Sequence, residues 1–390
     1  MPRLSRRLDH IDISGIRKAF ENRGGEGDGP VDGGRGGLRP PLPPATVNLA
    51  LGQPDFDTPA RIKAAAARAL EEGRTAYTPN AGIPELREAV ASKLRRENRV
   101  SVGPEQVLVT AGASEALHLA LMALVNPGDE VLIPDPGFVS YAPLTRAAGG
   151  KPVGIPLRKD LTLALERART TARTRVIIVN SPANPTGAVE FEEDLKALAE
   201  FAEDRNLILV SDEVYEEFVY EGKHASPARW APGHVVTVNA ASKTFAMTGW
   251  RLGFAAGPPE VVDGMLRLHC YIQACASSIA QHAALAAYTG PGDAVAEMRE
   301  RFRKRRDFVL RALEGAGIGC ARPKGAFYAF PEVGDGDRFA AETAKRGVRV
   351  VPGSAFGPRG KRHIRISYAV SEERLERGMA VLAEVPRRAP

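Results

Sequence analysis

From Gln106 to Ser211 the chain alternates between short apolar runs and longer amphipathic segments. The runs Gln106 to Thr110, Glu130 to Ile133, Pro152 to Pro156, Arg175 to Asn180 and Leu207 to Ser211 have the length and β-branched content of strands. The segments between them, Ser114 to Val125, Val139 to Ala148, Leu161 to Arg169 and Glu192 to Asp204, have helical spacing. Strands separated by helices cannot close as hairpins; they pair side by side in parallel, with helices covering both faces. The alternation therefore predicts an α/β fold with a mostly parallel central sheet. With 390 residues, 44% of them hydrophobic, the chain has material for two domains.

The flanks extend the pattern. A strand at Val47 to Leu51 leads into helices Ala60 to Glu72 and Pro84 to Asn98, with a turn-rich loop displaying Tyr77 between them. Short apolar runs at Val235 to Val238 and Leu252 to Ala256 add strands, and one long helical run is expected from Pro259 to Thr289, ended by Gly290-Pro-Gly. A helix from Ala294 to Gly315, strands near Phe327 to Phe330 and His363 to Ser367, and a last helix from Glu372 follow. These observations divide the chain into a large domain, 47–290, and a smaller α+β domain from 1–46 and 291–390. Residues 22–45, rich in Gly and Pro, bury too little apolar area to offset their ordering entropy and are expected to be a flexible insertion.

Several classes are disfavoured. The net charge is +6, but the densest basic run, Arg299 to Arg306, belongs to an alternating acid and base pattern typical of a solvated helix face, so no nucleic-acid partner is expected. Cys270, Cys275 and Cys320 lack CxxC spacing and an even count, which argues against a disulfide framework and a metal site and points to a cytoplasmic protein. No run reaches the roughly 18 apolar residues of a membrane span, and no apolar segment follows the basic N-terminus as in a secretory signal.

Parallel sheets bind ligands outside the carboxyl ends of their strands. What the strands deliver there is therefore informative. The strand ending at Thr110 delivers Gly112, Ala113 and Ser114 at a helix start, where free N–H groups and the helix dipole favour an anion such as phosphate. The next ones deliver Asn184 between two prolines, then Asp212 with Tyr215, then Lys243 with Arg251. Lys243 stands among small neutral residues, and burial there would lower its pKa and leave an amine able to attack a carbonyl. An anion cradle, an amide, a carboxylate, a phenol, an amine and a guanidinium on one sheet edge suit pyridoxal 5'-phosphate: phosphate, aldehyde, pyridine nitrogen and ring oxygen each find a partner.

In these stretches the chain resembles the fold-type-I pyridoxal-phosphate aminotransferases of class I/II, within them the aspartate aminotransferase-like group. The similarity is carried by Gly52-Gln-Pro-Asp-Phe-Asp-Thr-Pro, Tyr77-Thr-Pro-Asn-Ala-Gly, Asn184-Pro-Thr-Gly, Ser211-Asp-Glu-Val-Tyr and Ser242-Lys-Thr-Phe-Ala-Met-Thr-Gly-Trp-Arg. The resemblance implies that Lys243 binds the cofactor aldehyde and later moves the proton. It implies that Asp212 pairs with the pyridinium, Asn184 and Tyr215 meet the ring oxygen, and Phe138 stacks on the ring. Gly112, Ala113, Ser114, Ser242 and Arg251 would hold the phosphate, joined by Tyr77 from the second subunit of a homodimer. Arg365, helped by the Gly52 backbone, would take the substrate α-carboxylate. Many relatives carry a hydroxyl three residues before the lysine, where this chain has Ala240.

The implied reaction is transamination between an L-amino acid, aspartate foremost but also alanine or an aromatic one, and 2-oxoglutarate. The stretch Tyr271 to Gln281, which would border the side-chain pocket, contains no cation, and Arg17 is a weak candidate for reading an acidic side chain. Competing readings are a carbon–sulfur β-lyase on the same fold and, more distantly, an α/β-hydrolase with Ser114 in a near-match to the nucleophile elbow and His363 as base. A non-enzymatic regulator on this fold ranks last, for want of a DNA-binding extension.

Overall fold

The structure, a computed structural model, describes residues 5–16 and 46–386. Arg17 and the insertion 22–45 lie outside the described residues. The strands are β1 Val47–Asn48, β2 Val107–Thr110, β3 Glu130–Asp135, β4 Lys151–Pro156, β5 Thr174–Asn180, β6 Ile208–Asp212, β7 Val235–Ala240, β8 Gly253–Ala256, β9 Tyr328–Ala329, β10 Val348–Arg349, β11 Val351–Pro352 and β12 Ile364–Ser367. Seven of them form the central sheet in the order β2-β8-β7-β6-β5-β3-β4. Every pairing from β4 to β7 is parallel, and β8 alone runs against its neighbours β7 and β2.

The central strands are buried on both faces, which is why they read as continuous apolar runs. In β5, Val176 and Ile178 enter one core while Ile177 and Val179 enter the other. The first core is completed by Leu117 and Leu121 of helix Ala113–Leu124 and Met265 of helix Pro259–Ile272. Against the opposite face lie Leu195 and Leu198 of helix Glu192–Asp204. Near the C-terminus, β11, β12 and β9 form a three-stranded antiparallel sheet, and helix Asp293–Gly315 packs on helix Glu372–Glu384. The first strand is shorter than its apolar run suggests: it spans Val47–Asn48 and pairs in parallel with β10 of this C-terminal part, with Leu49 continuing the contact through its N–H to the Arg349 carbonyl.

Two expectations need correction. Leu161 to Arg169 is not a helix; it holds a single 3-10 turn, Leu165–Arg167. Leu161 takes φ +67° and Leu163 bridges back to Leu157, so the apolar residues that mimic helical spacing reach the core from an extended return. The run from Pro259 to Thr289 is two helices, Pro259–Ile272 and Ser278–Thr289. The break contains neither Gly nor Pro. Ala274 supplies the left-handed residue at φ +61°, and the Ser277 side chain caps the second helix by accepting from the Ala280 N–H.

Candidate active site

β5, β6 and β7 end side by side, with Asn180 opposite Asp212 and Asp212 opposite Val238. Asp212 is buried. Burial pushes its carboxyl up to about 6, against hydrogen bonds from the Tyr141 hydroxyl to Oδ2 (2.8 Å) and the Val214 N–H to Oδ1 (3.4 Å), which favour the carboxylate. Tyr141 opens helix Tyr141–Ala147, and Phe138 packs edge-to-face on it at 5.5 Å between centroids. The sequence reading passes over Tyr141. Beyond Asp212, the buried Tyr215 hydroxyl lies 2.8 Å from that of Tyr328, a second phenol without a sequence signal.

Lys243 stands in a four-residue helical turn, Ala241–Thr244, rather than on an open loop. Its Nζ donates to the Gly52 carbonyl at 2.8 Å. Gly52 is confined: a Cβ there would come within 2.4 Å of the Tyr328 hydroxyl. Burial lowers the Lys243 pKa to about 8, with the Arg365 and Arg251 guanidiniums adding to the effect and the Asp212 carboxylate opposing it. Lys93, which is buried, behaves differently. Burial works against its charge too, but the carboxylates of Glu216 and Glu217 outweigh it and raise its pKa.

At the end of β2, Gly112 turns the chain with φ +86°, a conformation that suits glycine, into helix Ala113–Leu124. A Cβ on Gly112 would lie 2.7 Å from Arg251 Nη2, so only glycine lets that guanidinium close on the bend. The N–H groups of Ala113 and Ser114 in the first turn have no partner within the helix. Arg251, itself left-handed at φ +54°, donates to the carbonyls of Thr248 (3.1 Å) and Ala111 (3.3 Å). Ser242 is buried and Ser114 exposed.

Arg365 on β12 is fully buried under Tyr328 and Phe356, 4.5 Å and 5.1 Å from their ring centroids. Nη1 donates to Asn184 Oδ1 at 2.9 Å and Nη2 to the Ala50 carbonyl, while Nε is buried without a partner among the described residues. Burial lowers its pKa. An unmatched guanidinium N–H is costly unless an anion meets it. Tyr77 is not gathered with these groups in one chain. It stands 88% exposed on its loop.

Comparison with known proteins agrees with this geometry. The family model for aminotransferase class I and II matches residues 44–382. The chain is 45% identical to a probable aspartate aminotransferase of Methanocaldococcus jannaschii, over 87% of this chain and 93% of that one. It is 47% identical to the aspartate/prephenate aminotransferase of Thermus thermophilus, over 88% and 91% respectively. The solved structure of Thermus thermophilus aspartate aminotransferase with maleate superposes with a TM-score of 0.90 at 43% identity, covering 98% of this chain and 99% of that one. The hydrolase reading of Ser114 with His363 falls; His363 is stacked on Phe330 at 4.8 Å. Among the described residues no helix is long and apolar enough to cross a membrane. With fold, strand-end chemistry and relatives in agreement, the chain belongs to the class I and II aminotransferases, in the aspartate aminotransferase-like group of fold type I.

Proposed function

We propose that this aminotransferase uses pyridoxal 5'-phosphate to move an amino group between an L-amino acid, with aspartate the foremost donor, and 2-oxoglutarate. The observation that carries the reading is the Lys243 amine, lowered to about 8 by burial and two guanidiniums, beside the buried Asp212 carboxylate. The residues fit the cofactor. The cradle at Gly112 would be filled by a Cβ, and the Nε of Arg365 is a buried donor without a partner among the described residues. When bound, the cofactor supplies an aldehyde for amino groups and a cationic ring that takes up electron density from Cα.

The chain's own groups divide the remaining work. Lys243 offers a neutral amine to a useful extent near pH 8, both to anchor the cofactor and to carry the proton afterwards. Asp212 is ionised above about 6 and keeps the ring nitrogen protonated, with Tyr141 holding its carboxylate. Because Asn184 Oδ1 accepts from Arg365, its Nδ2 remains to donate to the ring oxygen, alongside Tyr215. Phe138 stacks on the ring. Gly112, Ala113, Ser114, Ser242 and Arg251 hold the phosphate. Arg365 and the Gly52 N–H take the α-carboxylate, and a bidentate guanidinium suits that group better than an ammonium.

The same reading includes a homodimer that shares its sites. Tyr77, Tyr271 and Ile272 are 88%, 94% and 51% exposed, and the Tyr77 loop is tied to the segment after helix Pro259–Ile272 by Asn80 Nδ2 to the Ala274 carbonyl (2.6 Å) and to helix Ser278–Thr289 by Gln281 Nε2 to Thr78 Oγ1 (2.9 Å). Such an apolar surface is suited to a second copy, which would receive Tyr77 at its phosphate. We place the enzyme in the cytoplasm, consistent with three free cysteines, and read 47–290 as the cofactor domain with the remainder as the smaller one.

The test is a panel of amino acids with 2-oxoglutarate, scored by glutamate formed. Aspartate should turn over best, with alanine and phenylalanine also used because no cation lies between Tyr271 and Gln281. A panel without glutamate from any donor overturns the reading. An aspartate preference above about a thousandfold in kcat/KM, some 4 kcal/mol, contradicts the tolerant pocket.

A further inference from the structure

The bend that would hold the phosphate is fixed on both sides of a single residue, Ala111, through the peptide unit that enters it and the one that leaves it. The Ala111 carbonyl accepts from Arg251 Nη2 at 3.3 Å, and the Ala111 N–H donates to Glu115 Oε2. Glu115 lies in the first turn of helix Ala113–Leu124, with a side chain only 10% exposed. Its other oxygen, Oε1, is 2.9 Å from Nδ1 of His269, which is 0% exposed. A carboxylate at that distance is an acceptor, so Nδ1 carries the hydrogen and donates it. Neither Glu115 nor His269 is among the groups already given a role.

We propose that Glu115 and His269 are positioning residues for the cofactor phosphate: His269 holds the Glu115 carboxylate, and the carboxylate holds the Ala111 peptide at the angle that leaves the cradle open to an anion. Ala111 is the last residue before the Gly112 bend, so a change in its backbone angles, held on the N–H side by Glu115 and on the carbonyl side by Arg251, turns the N–H groups of Ala113 and Ser114 and displaces Arg251 together. The arrangement also answers an electrostatic difficulty. A carboxylate in the first turn of a phosphate-binding helix opposes the anion unless it is held and hydrogen-bonded elsewhere. Here one oxygen is directed to the imidazole, and the other to an N–H behind the bend.

His269 is well placed for this without being needed for its own helix. It lies in the last turn of helix Pro259–Ile272, which packs against helix Ala113–Leu124. Its carbonyl separately accepts from the N–H groups of Gln273 (2.9 Å) and Ala274 (3.1 Å), which fix the helix end through the backbone whatever the side chain. The imidazole is thus free to serve the cradle.

The inference rests on the proposed cofactor, and the test separates the two. Apo-protein is titrated with pyridoxal 5'-phosphate and, in parallel, with pyridoxal, following absorbance. Glu115→Ala and His269→Phe should each weaken the phosphorylated compound about tenfold, the cost of leaving one buried group unmatched, and change pyridoxal binding less than twofold. Glu115→Gln keeps an oxygen for the Ala111 N–H and should stay within about threefold of wild type. Equal losses for both compounds would assign the pair to general stability and overturn the proposal, as would unchanged affinity in both Glu115→Ala and His269→Phe. If His269→Phe does not fold, Glu115→Ala against Glu115→Gln decides the same question. Wild-type protein that binds neither compound would instead fail the cofactor reading itself.

Discussion

Replacing Lys243 by Met should make the cofactor-free protein more stable, although the lysine is the residue on which activity depends. The ammonium is held at a cost. Its pKa falls from 10.5 to about 8 on folding, because burial first, then Arg365 and Arg251, disfavour the charged form. At 1.36 kcal/mol per unit this amounts to about 3 kcal/mol of destabilisation at pH 7, where both folded and unfolded chains are protonated. The side chain is only partly shielded, and the hydrogen bond to the Gly52 carbonyl, worth about 1 kcal/mol, is lost in the variant. The net gain expected for Lys243→Met is therefore about 2 kcal/mol at pH 7. A depressed lysine pKa penalises the fold fully below the folded value, and the penalty fades as pH rises toward the unfolded value. Wild-type stability should accordingly recover between about 8 and 10.5 relative to the variant. Urea midpoints of the two apo-proteins at pH 7 and 10.5 measure this directly, with a gap shrinking to below about 1 kcal/mol at the higher pH. A variant no more stable than wild type at pH 7, or an equal advantage at both pH values, would refute the idea of a strained amine.

Tyr141→Phe removes a donor that holds Asp212 down, so Asp212 should titrate above its value of about 6 and the acid limb of kcat/KM should move up by about one pH unit. An unmoved limb would show that another acid sets it. Arg365→Lys should lower kcat/KM about 100-fold for aspartate, alanine and phenylalanine alike, since all share the α-carboxylate; a loss confined to one of them contradicts the assignment. Light scattering should show a dimer that Tyr271→Asp drives toward monomer, whereas a fully active wild-type monomer would remove the role given to Tyr77.

How much of this is legible before the structure depends on how local the cause is. Parallel strands present their carboxyl ends in one row, so the residues that end each strand or follow it within a few positions are readable, and Asp212, Asn184, Lys243 and Gly112 are among them. Tyr141 is not readable in this way. It starts a helix 71 residues before Asp212 and meets it only through packing, as Glu115 meets His269 across 154 residues. Helix ends set by side chains are equally silent: the break at Ala274 comes from a left-handed alanine and a serine cap, with no Gly or Pro to announce it. In Leu161 to Arg169, by contrast, helical spacing is present and tertiary contacts override it. The Leu163 N–H is taken by the carboxyl oxygens of the buried Glu190, which binds the segment as an extended return.

The central claim is that one particular amine carries the cofactor. Two lysines differ in how they are held: Lys93 is buried and committed to Glu216 and Asn98, while Lys243, partly shielded, donates to a backbone carbonyl and has its proton weakened by desolvation first and then by two guanidiniums. Borohydride reduction of the cofactor-loaded protein, followed by digestion and mass-spectrometric mapping, distinguishes them and every other lysine at once. The result expected is a single pyridoxyl group per chain on Lys243, absent from Lys243→Met. A label on Lys93 or any other lysine, or the same labelling in Lys243→Met, would contradict it.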